Sequence, residues 1–375
     1  MAELGFGTMR LPMTDPDNHG SVDTGVFRSM VDAFLDSRFG YFDTAYYYHH
    51  GNSERAVGSE LVGRHPRSSF RLADKLPMKL LRDETDPKVQ DRFLAEQQER
   101  CGTERFDRYM LHNVCRSFYP AAERLDSFGF LRNLKETGVA DSIGFSIHDD
   151  ADFLTKVLDE NGDVDFVQLQ INYMDWDSPQ IQSRRCYEVA ESRGIPVVVM
   201  EPVRGGALAN LPEEAAEVLR GIDPEASQAS WALRFAAGLE NVDIVLSGMS
   251  DMNQMSENMV LMRNLRPLDD EESEALRRVA DILKKGNAVP CTGCGYCLGG
   301  CPRDIPIPDY ISLYNSAISA PTKGLPPQRF YYLNMSAGHG KASECIGCGR
   351  CEADCPQHIA IRDELAKVAS LFERF

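Results

Sequence analysis

Over the first three-quarters of the chain, short apolar runs alternate with stretches whose apolar positions recur every three to four residues. The runs LGFGTM, GYFDTA, FRLADK, DRYMLHN, DSIGFS, VDFVQLQI, IPVVVMEP and VDIVLSG read as strands. Between them FRSMVDAFLDS, AAERLDSFGFLRNLKETG and QIQSRRCYEVAESRG carry a helical period. The last two end on Gly138 and Gly194, where a left-handed residue stops a helix. Eight strand–helix alternations in about 270 residues predict an α/β architecture, a closed (β/α)8 TIM barrel. An open doubly wound sheet is the competitor, but the first turn lacks the G-x-G-x-x-G loop that would open a helix there. The helix EESEALRRVADILKK closes this region, so residues 1–285 read as one domain. GNAVP is a short linker into a second, small domain over residues 286–375.

Eight of the eleven cysteines lie in that second domain, in CTGCGYCLGGCP and CIGCGRCEADCP. Both runs have the spacing C-x2-C-x2-C-x3-C-P: Cys291, Cys294, Cys297 and Cys301, then Cys345, Cys348, Cys351 and Cys355. A Pro- and aromatic-rich insert separates them, so the repeat is one of a metal site and not of a solenoid. Three closely spaced thiolates on a curled loop can hold three corners of an iron–sulfur cube. Gly293, Gly295, Gly347 and Gly349 let backbone amides turn toward the sulfurs. Structural zinc usually pairs two C-x2-C knuckles across a longer gap, which this crowding fits poorly. The spacing is similar to that of bacterial two-cluster ferredoxins, whose cysteine before the proline reaches the other cluster. That resemblance implies a ferredoxin-like domain with two [4Fe–4S] clusters. Cys291, Cys294, Cys297 and Cys355 would hold one, and Cys345, Cys348, Cys351 and Cys301 the other. The scattered Cys101, Cys115 and Cys186 read as buried apolar residues.

Composition narrows the partners. Of 375 residues 43% are hydrophobic, enough for a sizeable core, and 57 acids against 40 Lys and Arg give a net charge of −17. From residue 287 onward acids and bases balance, so the whole excess belongs to the barrel region. An acidic body disfavours nucleic acid and anionic membranes. No apolar run approaches the ~20 residues of a membrane helix. The N-terminus MAELGFGTMRLP has no basic segment followed by an apolar one, so the expectation is a cytoplasmic protein. Clustered cysteines in such a chain favour metal over disulfides.

Four ionisable residues stand at or near predicted strand ends, where a barrel of this kind places its chemistry. They are Asp43 and, five residues on, Tyr48 in FDTAYYYHHG, Lys75 in LADKLP and His112 in MLHNV. Here residues 1 to about 285 resemble the aldo/keto reductase family. The matching text is GFGTMRLP, FDTAYYY…GNSERAVG, DKLP, LHNV, GFSIHD, VQLQINY and MEPVRGG. Together with the tail, the chain looks like the ferredoxin-extended branch of that family. The resemblance implies that Tyr48 donates a proton to a carbonyl oxygen, that Lys75 lowers the phenol's pKa, and that Asp43 keeps Lys75 charged. His112 would donate a hydrogen bond to the same oxygen. Tyr46 and Tyr47 compete for the phenol role, and only family spacing selects Tyr48.

The same resemblance implies a nicotinamide site. Ser146 and Gln168 would hold the carboxamide, with Asn172 lining the site; Ile147 stands where the family often has Asn, and Met200 where a stacking aromatic is common. Arg204, Gly205 and Gly206 suit a pyrophosphate. Glu257 and Asn258, at the end of the last barrel loop SGMSDMNQMSEN, match adenine contacts. Gly248 and Gln254 occupy places where NADP-dependent relatives carry cations, so NAD(H) is expected over NADP(H). A flavin has no motif in the chain but stands as an alternative occupant of the barrel.

Three functions fit. The first is an oxidoreductase acting on a carbonyl or related small molecule, its clusters relaying electrons to or from the barrel, with a redox partner protein as a candidate source or acceptor of those electrons. The second is an NADH-dependent carbonyl reductase with structural clusters. The third is a non-catalytic electron-transfer or redox-sensing subunit, which would have no need of all four ionisable residues.

Overall fold

The computed structural model describes residues 2–374 apart from 117, 286–288, 292, 294, 296, 320, 323 and 356, and apart from the side chain of residue 285. Eight parallel strands close into a barrel in chain order: β1 (Glu3–Gly7), β2 (Tyr41–Asp43), β3 (Arg71–Leu76), β4 (Phe106–Leu111), β5 (Ala140–Ile147), β6 (Phe166–Gln170), β7 (Val197–Met200) and β8 (Val242–Ser247). Every expected strand is present. β1 closes the ring on β8, with Gly5 opposite Leu246. Tyr41, Ala73, Met110, Phe166, Val198 and Ile244 pack together as a layer of the interior. Such layers make the centre a packed core and not a pore. Gly144 allows one close approach, since a Cβ there would stand 2.4 Å from the Phe166 carbonyl oxygen.

Two helices differ from the sequence reading. The pattern over 121–138 predicts one helix, but the chain forms two, Tyr119–Arg124 and Ser127–Glu136. Asp126 between them adopts φ 49° and its carboxylate accepts from Gly129 N, so a cap interrupts an otherwise continuous apolar stripe. The helix expected from Gln180 begins at Ser183, because Gln182 is left-handed at φ 56°. Gly138 and Gly194 do take the left-handed conformation that ends a helix.

The chain divides into two compact units. One comprises Met1–Ile171, Ser183–Pro202 and Leu233–Pro267, and carries all eight strands. The other comprises Asn172–Gln182, Val203–Ala232 and Leu268–Phe375. In this second unit the insert between the cysteine runs forms two helices, Ile307–Ser319 and Gln328–Gly338, followed near the end of the chain by Ile361–Phe372. Tyr332 links all three, its ring centre 4.5 Å from that of Tyr310 and 5.2 Å from that of Phe372. The Asn315 amide holds both backbone groups of Val289, at 2.7 and 3.1 Å, and so anchors the entry to the first cysteine run. Among the described residues no helix is long and apolar enough to cross a membrane.

Candidate active site and cluster cages

Asp43 ends β2 opposite Ala73, and Lys75 lies in β3 opposite Met110. The Lys75 side chain is fully buried. Its Nζ donates to Asp43 Oδ1 (2.5 Å) and to the Thr44 carbonyl (2.6 Å), and lies 4.8 Å from the centre of the Tyr48 ring. Burial pulls the ammonium's pKa down, but Asp43 and Tyr48 more than reverse this, so Lys75 stays charged. Asp43 Oδ2 has no hydrogen-bond partner among the described residues.

Lys75 does lower the Tyr48 pKa, as expected, but burial outweighs it. Burial pushes the phenol above its ordinary value, and Lys75 draws it back only in part. A phenolate loses much hydration in this dry site, while the ammonium that opposes the loss is already matched by Asp43. Tyr48 therefore keeps its proton at neutral pH. Tyr46 turns away, its hydroxyl donating to Glu96 Oε2 (2.6 Å). Tyr47 lays its ring by His112, with centres 5.3 Å apart, and its hydroxyl has no partner among the described residues.

His112 follows β4, its ring centre 5.8 Å from that of Tyr48 and edge-on to it. Burial, with help from Lys75 and His148, holds the imidazole well below its ordinary pKa, so it is neutral. Its Nδ1 has no partner among the described residues. The turn behind Tyr48 is tightly held. His49 and His50 are left-handed at φ 50° and 57°, and His49 bridges the Leu11 amide (3.1 Å) and the His19 carbonyl (2.7 Å). Such strain persists only where the surroundings fix it.

Two residues near this group escaped the sequence reading. Buried His148 follows β5 and lies close enough to His112 to lower its pKa; half-buried Glu201 follows β7 and raises that of Tyr48. Both stand just past the C-terminal end of a strand, in GFSIHD and VVVMEP, so the criterion that selected His112 would have found them.

Of the nicotinamide candidates, Ser146 and Gln168 are paired neighbours on β5 and β6. Ser146 Oγ accepts from the Asn113 amide (2.8 Å). The Gln168 amide reaches Met200 Sδ at 3.7 Å, and its buried Oε1 has no partner among the described residues. An orphaned acceptor beside a serine fits a carboxamide. Asn258 donates to Ser247 Oγ (3.0 Å), whereas Glu257 and Gln254 are exposed. Asp251 caps the helix Met252–Arg263 by accepting from Gln254 N. Arg10 packs its stem toward Gly248 while its guanidinium lies 3.6 Å from Glu201.

Asn172, Arg204 and Gly205 belong to the second unit. Asn172 is buried and donates to Asp175 Oδ2 (2.9 Å). Arg204 and Gly205 are left-handed at φ 50° and 66°. Arg204 is fully buried, its Nε 3.3 Å from Asp175 Oδ1, and it donates to the Ser316 carbonyl (2.5 Å) and hydroxyl. With the Gln328 amide turned as the neighbouring donors require, its oxygen also accepts from Arg204 Nε at 3.1 Å. These partners occupy donors that the resemblance assigns to a pyrophosphate.

The thiols line two cavities. Cys301 joins Cys345, Cys348 and Cys351 around one of ≈ 320 Å³, and Cys355 joins Cys291 and Cys297 around another of ≈ 330 Å³, space open to solvent included. Cys294 lies outside the described residues. The described thiols of each set thus face one common hollow, the arrangement that ligands of a shared cluster need. Gly293, Gly295, Gly347 and Gly349 all have φ between 71° and 77°, which suits amides curling around an anionic group. Cys101, Cys115 and Cys186 are buried, as expected.

Comparison with known proteins agrees with this geometry. The aldo/keto reductase family model matches residues 3–281, and a 4Fe-4S dicluster domain model matches residues 290–361. No curated protein sequence matches the chain. Among solved structures, the holo form of an aldo-keto reductase from Bacillus halodurans has 23% identity and a TM-score of 0.60, over 74% of this chain and 91% of that one. A thermostable aldo-keto reductase in complex with the inhibitor epalrestat has 18% identity and a TM-score of 0.60, over 74% and 95%. One from Klebsiella pneumoniae in complex with NADPH has 17% identity and a TM-score of 0.56, over 74% and 90%. At these identities the likeness is one of fold.

Proposed function

The chain belongs to the aldo/keto reductase family and carries a 4Fe-4S dicluster domain after its barrel, and from that premise we propose that it reduces the carbonyl group of a small molecule at Tyr48, with iron–sulfur clusters relaying electrons to or from the barrel site. The observation that carries this reading is the buried, charged Lys75 between Asp43, the Thr44 carbonyl and the Tyr48 ring. Two electrons and two protons convert a carbonyl to an alcohol. Tyr48, protonated throughout the neutral range, gives one proton to oxygen; on the relay route water supplies the second, to carbon, and the proton that restores the phenol. Lys75 stabilises the phenolate left behind, and neutral His112 donates a hydrogen bond to the same oxygen. The eight tail cysteines are the ligands this reading gives to two clusters, which supply single electrons when bound. A one-electron partner protein and a reducing cytoplasm belong to the same proposal.

A nicotinamide, which supplies a hydride when bound, would rest its carboxamide on Ser146 and the orphaned Oε1 of Gln168. That oxygen also supports a second reading, in which NADH is the reductant and the clusters only hold the tail together. NADH is favoured over NADPH. Exposed Gln254 and Gly248 offer a 2′-phosphate no cation, Asp251 caps the adjoining helix with a carboxylate, and the Arg10 guanidinium lies by Glu201. In a fluorescence titration NADH should bind about tenfold or more tightly than NADPH, in line with the loss of one charge-assisted contact. Equal affinities would remove the argument.

The test of the relay uses anaerobic holoprotein analysed for iron, sulfide and flavin, then reduced and mixed with 4-nitrobenzaldehyde as a carbonyl probe. Reoxidation of the cluster absorbance should accompany alcohol formation, and Y48F should slow it on the order of 100-fold or more. NADH turnover that survives removal of iron would favour the second reading instead.

A further inference from the structure

Behind Lys75 lies a polar cluster that the proposed reaction leaves unused. Side chains alternate along a strand, so while Lys75 turns to the barrel interior its neighbour Asp74 turns to the helices outside. Asp74, Glu54 and Cys101 are all fully buried. Glu54, on the helix Asn52–Val57, lies alongside Asp74, close enough for each carboxyl to act on the other. It also accepts from Gln97 Nε2 at 3.1 Å and from Arg100 Nη1 at 2.9 Å, both on the helix Val89–Cys101. Cys101 Sγ donates to Asp74 Oδ2 at 3.7 Å. The network then closes on the backbone of Lys75. Asp74 Oδ1 accepts from the Lys75 N–H (2.8 Å), and Gln97 Nε2 donates to the Lys75 carbonyl (3.1 Å). Tyr109 on β4 fixes the orientation of the Gln97 amide by donating to its oxygen at 2.6 Å.

We propose that Asp74, acting with Glu54 and Gln97, is a positioning residue for Lys75: the network grips the Lys75 backbone from outside the barrel and so sets where the ammonium meets Tyr48. Two carboxyl groups in contact away from water cannot both ionise, so the pair keeps one proton between them. Burial, with Glu54 alongside, holds Asp74 well above the ordinary carboxylate range, and Arg100 pairs with Glu54 as the ionised member. The titratable and charged groups facing the pair are Lys75 and Asp43 from the strands, Arg100 and Cys101 from the helix, and Tyr109 from β4. With its proton the pair carries one negative charge, matched by Arg100; without it, a second negative charge competes with Asp43 for Lys75.

Three measurements on the full chain test this, and only the third rests on the carbonyl-reductase reading. Infrared spectroscopy at neutral pH should show the carbonyl stretch of a protonated buried carboxyl, lost in D74N. The Lys75 ammonium, followed by nitrogen-15 NMR, should shift or broaden in D74A and return in D74N. With 4-nitrobenzaldehyde and NADH, kcat of D74A should fall about 10- to 100-fold, the scale of an ångström-sized misplacement, with KM little changed. D74N should recover most of that loss. If D74A does not fold, Q97L, which leaves both carboxyl groups in place, should move the same ammonium resonance. A missing infrared band overturns the proposal, as does a folded D74A with its Lys75 resonance and kcat unaltered. Absence of any turnover in the unmodified protein defeats the carbonyl-reductase reading, while the spectroscopic measurements still decide the role of Asp74.

Discussion

Burial pushes His148 down from 6.5 to about 4, so the folded chain keeps this imidazole neutral over a range where the unfolded chain takes up a proton. The resulting contribution to stability is complete above pH 6.5 and is lost as the pH falls toward 4; below that both states are protonated and nothing further is lost. At ~1.4 kcal/mol per unit the effect is on the order of 3 kcal/mol. His112, also held low by burial, acts in the same direction. Urea denaturation at a series of pH values should show H148Q losing less stability than the unmodified protein between pH 6.5 and 4. Parallel curves would mean that His148 takes up its proton without resistance. The residues around it were unequally legible. Asp43 and His112 could be picked out as charges at strand ends, but the choice among Tyr46, Tyr47 and Tyr48 needed the family's spacing. The direction of the Tyr48 shift could not be read at all, because it depends on how much water the fold removes. Asp74 was equally opaque, since an acid beside a lysine in a strand reads as a solvated pair until both prove buried.

At the scale of elements, the strands were the legible part because each is a short β-rich run bounded by turn residues and buried on both sides. Helix limits were harder, since apolar period reports which face is buried and says nothing of a side chain that caps a break. Asp126 is the case in point. Nothing in AAERLDSFGFLRNLKETG marks it as an interruption, yet its left-handed backbone and its bond to Gly129 N divide the segment. The carboxylate satisfies a helix-end amide that water would otherwise have to serve. D126A should therefore destabilise the barrel by about 1 kcal/mol, the usual cost of losing a cap, and D126N should restore most of it. Thermal unfolding of the two variants checks this. An unaffected D126A would show that the break comes from packing of the two helices and that the cap is incidental.

At the scale of the whole chain, the two families of residues answer to different forces. The barrel unit is held by a continuous apolar interior and by eight paired strands. The tail has a smaller core around Tyr310, Tyr332 and Phe372, and among the described residues of its cysteine runs only the one-turn helix Arg350–Ala353 is regular. A small domain hides a smaller share of its surface than a large one, so groups held by its thiolates are expected to contribute to its folding. Hydrogen exchange on anaerobic protein before and after iron chelation makes the difference measurable. Chelation should strip protection from the helices Ile307–Ser319 and Ile361–Phe372 while β3, β4 and β5 keep theirs. The helix Asp270–Lys285 gives an internal gauge, because it packs on Glu213–Arg220 within the second unit and carries no thiol. If its protection falls with that of the tail helices, the clusters stabilise the whole unit; if it holds, their influence stops at the cysteine-bearing segment. Unchanged protection everywhere would show that the tail folds without iron and would leave electron transfer as the remaining reason for its eight cysteines.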